Sequence, residues 1–208
     1  GQYNRFLTQV EWEKRITTAN GQVITPYLSA RGDLYSLDID STSNGANIAS
    51  YMMTGQNTFG RGMATAAVEW RWPFIVSDDW GFQIFEPIAQ LILRPNEARL
   101  AYVPNEDAQS IVFDDTILFD YDKFSGYDRI EGGSRANVGL KYTLQTKSGK
   151  RIRGVFGQSF HLAGVNPFPI GSGLETDRSD YVAAGYLDLT QKLTIASRFR
   201  LDEKDFDL

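Results

Sequence analysis

Cysteine is absent from the 208 residues, and His161 is the only histidine. Disulfides and thiolate metal sites are thereby excluded, and without a second imidazole neither a zinc centre nor a Ser-His-Asp triad finds its residues. Uninterrupted apolar runs are missing as well, since no stretch reaches the roughly 18 residues that a membrane-crossing helix needs. A surplus of positive charge is also lacking. Lys and Arg total 21 against 26 Asp and Glu, a formal net charge of −5, which offers nucleic acid no electrostatic footprint. The first residues, Gly1-Gln2-Tyr3, hold neither an initiator Met nor an apolar signal-peptide core, so the expectation is a processed chain or a piece of a longer one.

What the sequence does hold, at 42% hydrophobic and 23% charged residues, is long segments of period-two alternation. From Asn4 to Ile16, Phe6, Val10, Trp12 and Ile16 oppose Arg5, Gln9, Glu11, Glu13 and Arg15. Asn20-Gly21 predicts a type I′ hairpin turn, and the return strand runs from Gln22 to about Leu37. Alternation resumes over Arg61 to Val76, where Val68, Trp70, Trp72 and Phe74 face away from Glu69 and Arg71. Further strands are expected at Phe82 to Arg94, Arg135 to Thr146, Arg151 to Leu162, Ser179 to Leu189 and Leu193 to Asp202. Their polar positions include Lys141, Arg153, Arg198 and Arg200.

About eight antiparallel strands result, each longer than the usual 5 to 6 residues. Short turns near residues 20, 78, 148 and 191 alternate with long connections at 38 to 60, 95 to 134 and 163 to 178. That alternation predicts an all-β, up-and-down outer-membrane barrel segment, with periplasmic turns at one end and extracellular loops at the other. A soluble β-sandwich has the same period, because periodicity does not tell inside from outside. Strand length and aromatic placement favour the membrane reading: Trp70, Trp72 and Phe74 suit lipid, while Glu69, Arg71, Lys141, Arg153, Arg198 and Arg200 suit a wet lumen.

The connection Pro104 to Gly133 is far longer than the usual 4 to 6 residues and is rich in both aromatics and acids. Its apolar content argues for an ordered, folded-in loop, with Arg129 expected to meet Asp114 or Asp115. An EF-hand reading of residues 120 to 131 fails, because Phe124 and Ser125 stand where a ligand and the turn glycine belong. Asp114-Asp115 as an acid and base pair would suit glycan cleavage, yet adjacent extended residues point opposite ways. No catalytic residue, cofactor or metal site is therefore expected.

The combination Phe113-Asp114-Asp115-Thr116 with Leu118-Phe119, followed by Phe124-Ser125-Gly126-Tyr127-Asp128-Arg129-Ile130-Glu131-Gly132-Gly133, strongly resembles the LptD (OstA/Imp) family of Gram-negative bacteria, most of all its alphaproteobacterial members. Trp70-Arg71-Trp72-Pro73-Phe74, Glu86-Pro87-Ile88-Ala89-Gln90, Gly157-Gln158-Ser159-Phe160 and Ser179-Asp180-Tyr181-Val182 extend the likeness across the chain. The resemblance implies a non-enzymatic role in placing lipopolysaccharide in the outer leaflet of the cell outer membrane. It implies as partners lipopolysaccharide, outer-membrane lipid, an LptE-like lipoprotein plug, and an LptA-like periplasmic bridge met through an N-terminal jelly roll. By that likeness residues 1–208 correspond to the middle strands of the barrel, without the jelly roll or the terminal strands. The loop motif, Asp114, Asp115, Phe119, Phe124, Gly126, Tyr127, Asp128, Arg129 and Glu131, is the structural or lipopolysaccharide-path candidate. Two alternatives are a small self-contained eight-stranded structural or adhesion barrel and a secreted β-fold glycan hydrolase.

Overall fold

The structure is a computed structural model that describes residues 2–38, 58–97, 111–190 and 192–204. The strands are β1 (Gln2–Glu13), β2 (Ile16–Thr17), β3 (Val23–Asp38), β4 (Thr58–Arg71), β5 (Phe74–Asp78), β6 (Gly81–Leu93), β7 (Ser134–Thr146), β8 (Arg151–Ala163), β9 (Tyr181–Thr190) and β10 (Leu193–Leu201). They form one sheet in the order β1-β3-β4-β6-β7-β8-β9-β10, with β2 on β3 and β5 on β6. Every pairing is antiparallel. Because β2 and β5 continue the registers of β1 and β4, the ladder has eight positions, in line with the expected up-and-down sheet.

The β4 segment starts earlier than the sequence suggests and breaks at Trp72-Pro73 before resuming as β5. Proline has no N–H to give the ladder, so pairing lapses there, although Trp72 N still donates to Pro87 O at 3.2 Å. The first hairpin corrects the type I′ expectation. Thr18 N donates to Gln22 O and Gly21 N to Thr18 O, which closes a three-residue loop with Gly21 at φ 83°. Thr146, Gly149 and Lys150 repeat that arrangement, with Gly149 at φ 87°. In both turns the threonine Oγ1 binds the backbone of the closing residue, and this selects a type I turn with a glycine bulge.

Directly opposed residues in an antiparallel ladder share a face, so register sorts the side chains. Phe6, Leu34 and Gly60 oppose one another on one face, while Leu7, Asp33 and Arg61 do so on the other. The first face carries Phe6, Val10, Trp12, Leu28, Leu140, Phe156, Ile195 and Phe199, all exposed. The second carries Asp33, Arg61, Glu69, Gln90, Arg135 and Asn137, all buried. A water-soluble sandwich would bury the opposite face. Two long connections, the described parts of which are 94–97 with 111–133, and 164–180, have no regular secondary structure and supply the cover.

Candidate functional site on the polar face

The floor of the site is a row of polar side chains placed side by side by register: Glu69 opposite Gln90, Gln90 opposite Asn137, Asn137 opposite Ser159. Gln90 Nε2 donates to Glu69 Oε2 at 3.3 Å, Asn137 Nδ2 to Gln90 Oε1 at 2.7 Å, and Ser159 Oγ to Asn137 Oδ1 at 2.6 Å. A buried amide or hydroxyl costs free energy unless it is paired, and this row satisfies its own members strand to strand. Gln90 Nε2 also reaches Phe119 O at 3.0 Å, which ties the loop to the floor.

Loop residues 111–119 are seated by shape. Gly139 and Gly157 are ladder partners on the polar face, and together they leave a pit. A Cβ on Gly157 would stand 2.5 Å from Leu118 Cδ2, and one on Gly139 would stand 2.9 Å from Phe119 Cζ. Leu118 is fully buried there in a cluster with Ile111, Phe113, Phe168, Leu174 and Val182. Phe119 lies under the Lys141 ammonium at 5.2 Å, and Phe124 stacks on Phe168 at 5.0 Å. The second long connection is thus part of the same plug.

Loop residues 120–131 are held by charge. Glu131 Oε1 accepts from Arg135 Nε at 2.6 Å, and Arg94 Nη1 stands 3.7 Å from Glu131 Oε2. The Asp128 carboxylate takes Arg5, and Arg61 Nη1 donates to Asp128 O at 2.8 Å. Arg61 Nη2 donates to Tyr127 O at 2.8 Å, and Arg31 also donates to that carbonyl. Both Arg5 and Arg31 lie over the Tyr127 ring, at 5.4 and 5.6 Å. Arg61 is fixed from beneath by Asp33 at 2.5 Å and Glu97 at 2.6 Å. Gly126, at φ 78°, turns the chain into this segment.

Charges inside the loop feel their burial. The Asp122 carboxyl is pushed up to about 6 by desolvation, opposed by Arg94 and reinforced by Glu131. Lys123 is buried among carbonyl oxygens, its Nζ 3.3 Å from Leu118 O, and desolvation lowers its ammonium to about 8. The Asp122 Oδ1 acceptor serves Phe124 N and Glu131 N, so the calcium-like spacing is spent on the loop's own backbone. No metal-holding group of His, Asp or Glu occurs among the described residues.

The expected Arg129 pairing is corrected. Arg198 Nε stands 3.0 Å from Asp115 Oδ1, and Tyr186 donates its hydroxyl to Asp115, while Asp114 caps Thr116 N at 2.8 Å. Arg129 instead lies where its charge acts on Glu97, on the other side of the loop. The two carboxylates thus have different hydrogen-bond partners, Thr116 for Asp114 and Tyr186 for Asp115. The other sequence candidates also sit on the polar face: Arg71 meets Glu69 at 2.6 Å, Arg153 meets Asp188 at 3.2 Å, and Arg200 meets Asp180 at 3.5 Å. Residues 104–110 of the expected loop lie outside the described residues.

Sequence reasoning missed Asp33, Arg61, Gln90, Asn137 and Ser159. A run of polar residues at the inner positions of successive strands was the available signal, but only register makes them neighbours. The sheet thus buries its polar face under two connections and exposes its apolar one, the inverse of a water-soluble sheet. No curated protein matches the chain. The LptD family profile, described as LPS transport system D, matches residues 1–208. The chain thus belongs to the LptD family and serves lipopolysaccharide transport at the outer membrane.

Proposed function

We propose that this sheet is a stretch of the barrel wall of the translocon that delivers lipopolysaccharide to the outer leaflet. Its apolar face meets membrane lipid, its polar face lines the lumen, and residues 111–133 with 164–180 plug the lumen from the extracellular side. The observation that carries the reading is the inverted burial: exposed Phe6, Val10, Leu28 and Phe199 against buried Arg61, Glu69 and Asn137. In this reading the wall belongs to a larger barrel with a periplasmic jelly roll. A lipoprotein plug of the LptE kind and a bridge of the LptA kind serve it from the periplasm. A glycan hydrolase lacks support, since Asp114 is engaged by Thr116 N and Asp115 by Arg198 and Tyr186.

Photo-crosslinking in cells tests the assignment. A benzophenone side chain at Lys141 or Glu11 is expected to capture lipopolysaccharide, and one at Val10 or Leu140 to capture phospholipid. Capture of lipopolysaccharide from both faces equally, or from neither, would reject it.

A further inference from the structure

The two halves of the loop are attached by different physics. Residues 111–119 are held chiefly by the Gly139 and Gly157 pit and an apolar cluster, to which Asp115 adds an ion pair with Arg198. Residues 127 and 128 meet β1, β3 and β4 through arginines, which present guanidinium groups to a carboxylate, to two carbonyl oxygens and to a ring face. Guanidinium groups converging in this way make an anion site, planar forks suited to carboxylate or phosphate. Here the occupant is the chain itself. Next to this cluster, a cavity of about 360 Å³ lies between loop residues 120–122 and the β1, β3 and β4 wall, lined by Arg31 and Arg94 and by the carboxylates Glu11, Glu13, Asp120 and Asp122. Tyr27 of β3 and Tyr121 of the loop stack at 4.0 Å, which holds residue 121 to the wall.

We propose that Arg5, Arg31 and Arg61 form a binding site for a phosphorylated saccharide, which Asp128 occupies as an internal stand-in until that ligand displaces it. Displacement frees residues 125–128 as a flap, while residues 111–124 stay seated through Leu118, the buried Lys123 and the Phe124–Phe168 stack. Arg61, tied to Asp33 and Glu97, is the fixed base of the site. Arg31 is tied to the same Asp33, at 2.9 Å, so Arg5 is the arm that changes partner, its side chain 22% exposed. This rests on the reading that lipopolysaccharide, a phosphorylated glycolipid, passes along the polar face.

Spin labels test it in the full barrel reconstituted in vesicles, with one label on the exposed flap residue Ser125, a reference label on Leu34 of the apolar face, and a second pair using Thr116 in place of Ser125. Lipopolysaccharide is expected to broaden and lengthen the Ser125 distance and leave the Thr116 distance unchanged. The same lipopolysaccharide stripped of its phosphates is expected to move neither. Asp128→Asn should open the flap without ligand, with at least a tenfold gain in its open fraction, and Arg5→Gln should do the same where Arg5→Lys retains closure. Equal displacement by phosphorylated and dephosphorylated forms, or a Ser125 distance indifferent to both Asp128→Asn and Arg5→Gln, would overturn the proposal. The wall assignment fails separately, if Leu34 itself is reached by a water-soluble relaxation agent.

Discussion

Gly139 and Gly157 show how a single missing methyl group can position a loop. Adding a Cβ at Gly157 places it 2.5 Å from both Leu118 Cδ2 and the Val138 carbonyl oxygen, so the loop or the strand must shift. Gly157→Ala is expected to cost about 1 to 3 kcal/mol, the range for forcing an extra methyl into a packed core. Gly185→Ala, with nothing within 4 Å of the new atom, should cost far less. Urea unfolding midpoints of the two variants distinguish them. Lys123 supplies a second test. Burial lowers its folded pKa to about 8, so between about 8 and the ordinary 10.5 the unfolded chain binds more protons than the folded one. Stability should accordingly rise with pH through that window, by up to roughly 3 kcal/mol, and stay level below it as far as this group is concerned. Lys123→Met should remove the rise, and a midpoint that falls between pH 8 and 10.5 in the native sequence would contradict the assignment.

Among the elements, the strands differ in how much of them the sequence discloses. The alternation of Val138 and Leu140 with Asn137 and Lys141 predicts both the strand and its two faces, because a period of two needs no tertiary information. The hairpin ends were not legible in the same way: Asn20-Gly21 suits two turn types, and the Thr18 hydroxyl on Gln22 decides between them. The loop's cohesion was legible from its aromatics, but its partners were not. Asp115 with Arg198 and Asp128 with Arg5 tie the loop to the last and first strands, and only the folded sheet brings them together. Leu140 lies mid-strand on the apolar face, whereas Trp72 lies at the β4–β5 break with its indole N–H on Asn20 O, close to the short turns. Leu140→Arg is expected to cost about 2 to 4 kcal/mol in the membrane and Trp72→Arg about 0 to 1. Lys141→Gln, on the polar face, should be milder than Leu140→Arg. Equal costs at positions 140 and 141, measured by refolding into lipid vesicles, would reject the face assignment.

At the scale of the whole molecule, the described strands form an open sheet, with β1 and β10 at its two edges. Unpaired strand edges are costly in hydrocarbon and template further pairing, so in the proposed wall both edges continue into neighbouring strands. The 208-residue chain refolded alone in detergent is therefore expected to run as larger, edge-paired species on size exclusion. A heat-resistant monomer that moves lipopolysaccharide between vesicles would contradict this. The central claim, that the exposed apolar face meets lipid and the loop-covered polar face does not, has its most direct measurement in spin labels placed one at a time from Tyr27 to Tyr35 of β3 in the membrane-embedded barrel. The 208 residues contain no competing thiol. Relaxation by lipid-soluble oxygen is predicted to peak at Leu28, Ala30, Gly32 and Leu34, and to fall at Tyr27, Ser29, Arg31, Asp33 and Tyr35. A profile without that period of two, or one in which the odd positions are the lipid-exposed set, would contradict the account.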